Sequence, residues 1–445
     1  HNMAENNTVT VIGGGLAGCE ASWQLAQRGI KVNLFEMKPK KYTPAHKFRG
    51  FAELVCSNSL KASRIESAAG LLKEEMRRLG SLIVPCAEET SVEAGGALAV
   101  DREKFSLLVT ERIKSHENIN IISDEVSEIP QGNVIIATGP LTSDSLASDI
   151  EKICGNRFSF FDAAAPIVTS DSLNKDIVFF ASRYDRGDAD YINCPMNKEE
   201  YTRFYTELIN AESAELKDFD KESFKVYEGC MPVEVLAKRG EDTMRFGPLK
   251  PVGLTDKRTG KRPYAVVQLR KENREGTMYN LVGFQTNLKF GEQKRVFSMI
   301  PGLENAEFVR FGVMHRNFFI DSPKLLKPTF EMKNREGLFF AGQMTGVEGY
   351  IESAMSGIIA GINMYCRIAG KNPLVLPRET MTGALTSYIS DEFVTDFQPM
   401  GCNMGILPDL NVRIKDKKLK YGAYAERALK AFDECLERFN NENNS

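Results

Sequence analysis

The sequence predicts an α/β protein in which a parallel-sheet domain, made from two separate segments of the chain, carries an inserted strand-rich α+β domain. Residues 8–12 are a β-branched run that stops at Gly13 and gives way to Ala17, Ala21 and Leu25 at helical spacing. Residues 156–318 instead contain alternating stretches joined by glycine-rich and basic connections, which is typical of strands. The chain then returns to a buried strand at 337–342 and a helical run at 352–364.

The elements of the first segment follow one another as in the start of a βαβ unit. An apolar run at 31–35 ends at Glu36 and supplies the second strand. Residues 71–79 and 101–114 have helical spacing, and 134–137 form a buried strand that ends at Thr138. We therefore expect one domain from 3–155 with 319–445, and an inserted domain from 156–318. The polar tail after Arg438 is expected to fray.

Composition indicates an ordinary globular protein of two or three domains. The 445 residues are 42% apolar, which is enough for each domain to bury its own core. The chain shows neither an apolar run of about 18 residues nor a signal pattern, so we expect a cytoplasmic protein without a membrane span. Nine cysteines without a C-x-x-C pair fit neither a disulfide framework nor a zinc ribbon, and we expect no metal site.

Two cationic patches are candidates for contacts with nucleic acid, although the formal net charge is −3. The first patch contains seven cations and one acidic residue, Glu272. The cations are Lys257, Arg258, Lys261, Arg262, Arg270, Lys271 and Arg274. The second patch, at 413–420, adds Lys415, Lys417 and Lys418 against Asp416. A solvated face is the alternative interpretation of each patch.

A glycine motif between the first strand and the first helix predicts dinucleotide binding. The motif G-x-G-x-x-G consists of Gly13, Gly14, Gly15, Leu16, Ala17 and Gly18. Gly13 allows the tight turn, Gly15 lets a pyrophosphate approach the backbone, and Gly18 lets the helix lie close to the sheet. The helix N-terminus offers amide donors to the phosphates. Glu36 ends the second strand, where an acid accepts ribose hydroxyls, whereas a plain glycine-rich turn would leave Glu36 unexplained.

Two later segments favour FAD over NAD. Ala137, Thr138 and Gly139 resemble the A-T-G strand end that returns beneath the dinucleotide in two-segment FAD folds. Residues 341–350 resemble the segment that closes over the flavin, with candidate contacts from Gly342, Gln343, Gly346, Gly349 and Tyr350. A small-residue face at 354, 357 and 361 would let the following helix pack closely, and its N-terminus would stabilise reduced flavin. A tightly packed buried helix without a ligand is the alternative.

Three cysteines lie in settings that suit a reactive thiol. Cys56 is surrounded by polar residues of the kind that start helices, where nearby amides lower the thiol pKa. Cys230 lies between a glycine and the proline-restricted Met231, so a turn would present its side chain. Cys194 shares the pre-proline setting, and local context does not separate it from Cys230. A buried structural thiol is the alternative for each.

Seven segments together resemble the folate- and FAD-dependent tRNA (uracil-5-)-methyltransferases. They are residues 13–18, 51–60, 95–101, 227–232, 260–264, 312–317 and 341–350. The resemblance implies that the target is a uridine in the T-loop of tRNA, at position 54, and that 5,10-methylenetetrahydrofolate donates the carbon. It also implies FAD as the carrier of carbon and electrons, with NADH or NADPH as the reductant. No obligatory protein partner is expected.

The resemblance assigns roles to two cysteines, and the residues themselves suggest further candidates. Uracil C5 becomes nucleophilic only after a thiolate adds to C6, so a C5-methylating enzyme needs a thiolate and a base. By motif match, Cys230 resembles the nucleophile and Cys56 the group that helps remove the C5 proton, and this division stays open. His315 is a candidate to stack on the folate pterin, with a core or surface histidine as the alternative. Candidate RNA contacts are Arg258, Lys261 and Arg262.

Three other functions compete with this prediction. A flavin NAD(P)H oxidoreductase without an RNA substrate, such as a disulfide reductase, would need a second dinucleotide domain and a close cysteine pair. No second G-x-G-x-x-G is present in the sequence. The same chemistry on a uridine of ribosomal RNA stays open. A non-catalytic FAD-containing RNA-binding partner is disfavoured because a scaffold has no use for two activated thiols.

Overall fold

The computed structural model describes residues 7–42, 46–55, 57–139, 142–155, 158–186, 189, 191–215, 231–273 and 275–444, with the backbone alone at 158–163 and 315–318. The chain divides into two compact units. Unit 1 comprises His1–Ser159 with Phe318–Ser445, and unit 2 comprises Phe160–Asn317. Which ligand each unit binds remains a prediction.

The first segment of unit 1 contains the predicted β-α-β beginning. Its elements are β1 Val9–Ile12, α1 Leu16–Gln27, β2 Val32–Phe35, β3 Ser59–Ala62, α2 Ala68–Arg78, α3 Ile83–Glu89, β4 Ser91–Val92, β5 Ala97–Val100, α4 Arg102–Ser115, β6 Ile119–Ile122, β7 Asn133–Ile136 and α5 Asp144–Cys154. Asp101 caps α4 by accepting a hydrogen bond from the Lys104 amide. Strands β3, β5 and β4 form a small antiparallel sheet that the sequence did not predict.

Unit 2 is built on a six-stranded antiparallel sheet. Its elements are β8 Phe158–Ala164, β9 Ile167–Thr169, β10 Phe179–Phe180, β11 Tyr191–Met196, α6 Lys198–Asn210, α7 Val233–Lys238, β12 Ala265–Lys271, β13 Met278–Leu281, α8 Phe290–Phe297, β14 Phe308–Arg310 and β15 Val313–Ile320. The strand order is β10-β11-β12-β13-β9-β14, and β8 pairs with β15 in a separate two-stranded sheet. The chain enters unit 2 within β8 and leaves it within β15.

The last segment completes unit 1 with α9 Ser322–Leu325, β16 Leu338–Phe340, α10 Tyr350–Ala369, α11 Met381–Ser390 and α12 Lys417–Asn443. The expectation that the tail after Arg438 frays is wrong. Asn443 at the end of α12 accepts hydrogen bonds from the Asn372 amide at 3.1 Å and from Lys371 Nζ at 2.9 Å. These tertiary bonds fix the last turn. In the part of the chain that the structure describes, no helix is long and apolar enough to cross a membrane.

Five parallel strands in the order β16-β7-β1-β2-β6 form the sheet of unit 1. The central strands are apolar on both faces, as a sheet covered by helices requires; Val9, Val11, Val134, Ile135 and Leu338 are all fully buried. Strand β16, from the last segment, pairs with β7, from the first, so both segments contribute to one sheet. The predicted α/β class, with a parallel sheet and a second strand-rich sheet, is confirmed.

Two buried carboxyl groups cap helices in unit 1. Glu20 on α1 accepts hydrogen bonds from the Ser81 hydroxyl and from the Leu82 amide, which lies 2.6 Å away. Glu75 on α2 accepts bonds from the Thr382 amide at 2.8 Å and hydroxyl at 2.7 Å. Burial raises the pKa of each carboxyl to about 7, although the hydrogen bonds oppose the rise.

The raised pKa of Glu20 makes the stability of unit 1 depend on pH. Between the ordinary pKa of 4.5 and the folded value of about 7, the folded state binds more protons than the unfolded chain. The free energy of unfolding therefore falls as pH rises through this window, by at most about 3 kcal/mol for one group. We expect Glu20→Gln to flatten the fall, measured by urea unfolding from about pH 5 to about pH 7. Glu103→Gln, at an exposed position of α4, is the control and should leave the profile unchanged.

Candidate functional site

Three turns meet at the carboxyl edge of the parallel sheet in unit 1. Strand β1 leads into Gly13, β7 into Ala137 and β16 into Ala341. The Ala137 amide donates to the carbonyl of Ile12 at 2.8 Å, and the Ala341 amide donates to that of Ile136 at 2.9 Å. Because these strands are parallel neighbours, the predicted cofactor residues at 13–18, 137–139 and 342–350 lie along one edge. Ligands bind at this edge of open α/β sheets.

The first turn has the shape of a phosphate cradle. Gly13 has a φ of +108°, and a Cβ there would overlap the carbonyl of Ala137. At Gly18 a Cβ would overlap the carbonyl of Gly13, so α1 can start this close to the turn only at a glycine. A Cβ at Gly15 would meet nothing within 4 Å. Gly15 is also the N-cap of α1 without a side-chain cap, which leaves the first-turn amides as donors for an anion.

Glu36 is fixed beside this turn by two backbone amides. Its Oε2 accepts a hydrogen bond from the Gly14 amide at 2.8 Å, and its Oε1 accepts one from the Lys38 amide at 3.1 Å. A Cβ at Gly14 would come within 2.6 Å of the Phe51 ring and 2.8 Å of Glu36 Oε2. Position 14 therefore faces the acid and the ring, and each carboxylate oxygen keeps a further lone pair for a ligand.

The third turn brings backbone to the start of a long helix. Gly342, Gly346 and Gly349 all have positive φ, at +87°, +89° and +114°, and Gln343–Thr345 form a 3-10 turn between the first two. Gly349 is the N-cap of α10, again without a side-chain cap. The predicted residues Gly342 to Tyr350 thus form one glycine-hinged turn that ends at a helix N-terminus, where negative charge is stabilised.

Helix α10 packs directly on α1 through its small-residue face. A Cβ at Gly357 would overlap the carbonyl of Ala17, and one at Gly361 would lie 2.8 Å from the carbonyl of Ala21. The two helices therefore touch backbone to backbone. This contact places the N-terminus of α10 close to the glycine motif that starts α1.

A buried ion pair holds the segment that covers the first turn. Lys38 Nζ lies 3.0 Å from Glu53 Oε2, and the two side chains are 5% and 4% exposed. Lys38 also donates to the carbonyl of Gly50 at 2.8 Å. The adjoining Ala52 amide donates to the carbonyl of Gly14 at 2.9 Å, which ties this segment to the glycine motif. Burial of the pair makes the loss of either partner costly.

Of the three candidate cysteines, only Cys194 lies in the part of the chain that the structure describes. Cys56 and Cys230 lie outside the described residues. The residues after Cys56 form strand β3, so the helix start predicted there is wrong. Cys194 lies on β11 with no exposed surface, and burial raises the pKa of its thiol far above the ordinary value. A thiol that stays protonated in a core is a poor nucleophile, so the structure separates Cys194 from the other two.

The segment around Cys56 is linked to the start of α10. The Ser57 amide donates to the hydroxyl of Tyr350 at 3.1 Å. Position 56 is therefore next to a residue that contacts the first residue of α10. This contact brings one predicted catalytic segment to the predicted cofactor edge, within unit 1.

The remaining predicted residues lie in unit 2. His315 is on strand β15, and its side chain lies outside the described part. Arg258, Lys261 and Arg262 are located around the turn that precedes β12, and Arg258 is paired with Asp256 at 3.2 Å. Of the other cations predicted in this patch, Arg274 lies outside the described residues.

One polar cluster in unit 1 was missed by the sequence analysis. Glu352, in the first turn of α10, is fully buried; its Oε2 accepts bonds from the Cys402 amide at 2.9 Å and from Lys61 Nζ at 3.4 Å. Its Oε1 has no hydrogen-bond partner in the described part of the chain. Burial, followed by the Glu352 charge, raises the pKa of the Cys402 thiol. The signal was available, because Glu352 is the one charged residue in 350–366.

The turns and the sheet define a two-segment dinucleotide-binding protein of the Rossmann type. A family model for glucose inhibited division protein A matches residues 8–372. The chain is 60% identical to the methylenetetrahydrofolate–tRNA-(uracil-5-)-methyltransferase TrmFO of Acetivibrio thermocellus, over 97% of this chain and 99% of that protein. It is 59% identical to the TrmFO of Bacillus pumilus, over 95% and 97% of the two chains. The chain belongs to this methyltransferase family.

The open space over Gly15 makes the predicted pyrophosphate position testable. Because the φ of Gly15 is −77° and no protein atom lies near its missing Cβ, we expect Gly15→Val to fold. Its side chain would occupy the space of the phosphates, so the protein should purify colourless while the wild type carries yellow FAD. The visible flavin absorbance and the thermal unfolding midpoint measure the two effects. A normal flavin spectrum in Gly15→Val would contradict the cofactor placement.

Proposed function

We propose that this protein methylates C5 of the uridine at position 54 in the T-loop of tRNA. The carbon comes from 5,10-methylenetetrahydrofolate, and the electrons come from NADH or NADPH by way of FAD. The observation that carries the proposal is the glycine-lined edge of unit 1 in a chain 60% identical to a methyltransferase of that printed name. We place the reaction in the cytoplasm, where the tRNA and reduced folate are available.

The residues along the edge of unit 1 fit FAD. The uncapped amides at the start of α1 and the open space over Gly15 suit a pyrophosphate. Glu36, held at the end of β2 by two amides, suits the ribose of the adenosine. Gly349 and Tyr350 at the start of α10 would border the flavin ring. When bound, FAD supplies the two-electron reduction and the transfer of the folate carbon.

The start of α10 would set the electrostatics beside the flavin. The uncapped N-terminus of this 20-residue helix stabilises negative charge close to Gly349. Glu352 opposes that effect, and Lys61 Nζ lies 3.4 Å from its carboxylate and offsets the negative charge. Tyr350 is fixed through its hydroxyl by the Ser57 amide, which would hold its ring in place beside a bound flavin.

Two thiols supply the covalent chemistry on the uracil. The Cys230 thiolate adds to C6, and the electron pair of the C5–C6 double bond moves onto C5 and O4 as an enolate. C5 then bonds to the methylene carbon, and the electron pair of the C=N bond that opens moves onto nitrogen. The Cys56 thiolate accepts the C5 proton, and the electrons of that C–H bond form an exocyclic C5=CH2 bond and release the carrier nitrogen. A hydride, which reduced FAD would supply, adds to this CH2, and the electron pair moves back to restore the C5–C6 double bond and expel the Cys230 thiolate. Cys194 takes no part, because it is buried in the core of unit 2.

Labelled cofactor tests the substrate class directly. The FAD-loaded enzyme is incubated with NADH, methylenetetrahydrofolate labelled in its one-carbon unit, and either tRNA or ribosomal RNA. We expect label in tRNA alone, on the uracil of the T-loop uridine, mapped by nuclease digestion. A tRNA with cytidine at that position is the control and should stay unlabelled. Label in ribosomal RNA instead, or NADH oxidation without any labelled RNA, would overturn the proposal.

The roles of the cysteines are tested with tRNA that carries 5-fluorouridine at the target. Fluorine cannot leave as a cation, so the adduct with the thiolate persists and survives denaturant. We expect the adduct in wild type and in Cys194→Ala, and its loss in Cys230→Ala. Cys56→Ala should lose turnover yet still trap RNA, because attack at C6 does not need the proton acceptor. An adduct that disappears in Cys56→Ala and persists in Cys230→Ala would reverse the two roles.

A further inference from the structure

Tyr184 in unit 2 combines an exposed ring with a strained backbone. Its side chain is 58% exposed, although tyrosine is large and partly apolar. It lies in the 3-10 turn Arg183–Asp185 with φ +57° and ψ +24°, and the next residue, Asp185, has a φ of +51°. The left-handed conformation is unfavourable for a residue other than glycine. Two such residues in succession call for an explanation.

The neighbouring loop holds Tyr184 in this conformation. The Tyr184 amide donates to the carbonyl of Gly253 at 2.8 Å, and the Arg183 guanidinium donates to the carbonyl of Val252 at 2.7 Å. A Cβ at Gly253 would lie 2.9 Å from the edge of the Tyr184 ring, so the ring rests on glycine backbone. These contacts fix the ring on one side, while more than half of the side chain stays exposed to solvent.

One cation lies over the Tyr184 ring, and another contacts the backbone of Phe180. The Arg186 guanidinium lies 5.4 Å from the ring centroid, and Lys257 Nζ donates to the carbonyl of Phe180 at 3.2 Å. Phe180 is a second exposed aromatic residue, on the edge strand β10. We call Phe180, Tyr184, Arg186 and Lys257 the aromatic platform. The cations Lys261 and Arg262 continue along the Lys257 loop.

The platform residues lie in two segments, 180–190 and 255–262, whose acidic residues balance only part of the positive charge. Asp185 is exposed, and Asp256 is buried and hydrogen-bonded to Arg258. Asp188 and Asp190 lie outside the described residues. Even with both of them included, the sequence of 180–190 and 255–262 holds six cations against four acids. The platform therefore presents aromatic rings on two segments whose combined charge is positive. This combination of features binds single-stranded nucleic acid.

We propose that Tyr184 stacks on an unpaired base of the RNA substrate while Arg186 and Lys257 contact the flanking phosphates. This inference rests on the proposed function and names the part of unit 2 that holds the RNA. A duplex hides the faces of its bases, whereas a loop exposes a face next to phosphates. An apolar protein partner would instead bury the charges of Arg186 and Lys257 without counterions.

The affinity of the full-length, FAD-loaded enzyme for unmodified tRNA tests the stacking. Loss of one stacked base costs about 1–3 kcal/mol, so Tyr184→Ala should weaken binding about 5-fold to 150-fold. Tyr184→Phe keeps the ring and should bind within about twofold of wild type. Neither change removes a charge, so the slope of log affinity against log salt should stay constant. The triple change of Arg258, Lys261 and Arg262 to Ala should flatten that slope.

A glycine variant separates binding from folding. Tyr184→Gly removes the ring and also relieves the left-handed strain, so its thermal unfolding midpoint should be no lower than that of wild type, while tRNA binds weakly. A lower midpoint with unchanged tRNA affinity would mean that the ring is structural, and would overturn the inference. Self-association of wild type that Tyr184→Ala abolishes, in sedimentation, would assign the ring to a second copy and overturn it too.

Competition and turnover distinguish this inference from the proposed function. An unpaired oligonucleotide should compete with tRNA for wild type better than a duplex of equal length, and should lose this advantage in Tyr184→Ala. If wild type methylates tRNA and Tyr184→Ala binds it equally well, the inference fails and the proposed function stands. If wild type neither binds nor methylates tRNA, both fail.

Discussion

The close approach of backbone to backbone at glycines is the constraint on which unit 1 depends. Helix α1 can begin directly after β1 only because Gly18 leaves room for the carbonyl of Gly13, and α10 can lie on α1 only because Gly357 leaves room for that of Ala17. Both helix N-termini are thereby brought to one edge of the sheet without side-chain caps. The same lack of side chains that permits the packing also leaves amides for a ligand.

Periodicity and glycine spacing predicted most of the fold because they act locally. The alternation at β12 and the apolar runs at β1 and β7 need only their own residues to be recognised. The small sheet of β3, β5 and β4 escaped prediction, since β3 is only partly buried and carries a lysine in the left-handed region at Lys61. The tail of α12 was misjudged for a related reason, because partners at 371 and 372 are distant in sequence.

The sequence predicted the candidate site where a motif identifies the residues. It could not predict the site where the reactivity of a residue depends on its burial. Residues 13–18 and Glu36 follow from spacing, and the structure groups them at one edge. The sequence could not exclude Cys194 as a nucleophile, since its burial depends on residues of the unit 2 core that are distant in sequence. The pairing of Lys38 with Glu53 brings together residues 15 apart, across a loop that no short-range pattern describes.

The pairing of β8 with β15 bears on how such a protein could arise. Both ends of unit 2 leave through neighbouring strands, so the inserted segment starts and finishes at one place. A dinucleotide domain with a continuous chain needs only one interruption, between α5 and α9, to acquire such a module. Because the join is a strand pair, modules of different length and sequence fit the same gap. The inserted module can therefore change in length and sequence while the glycine contacts that order unit 1 stay the same.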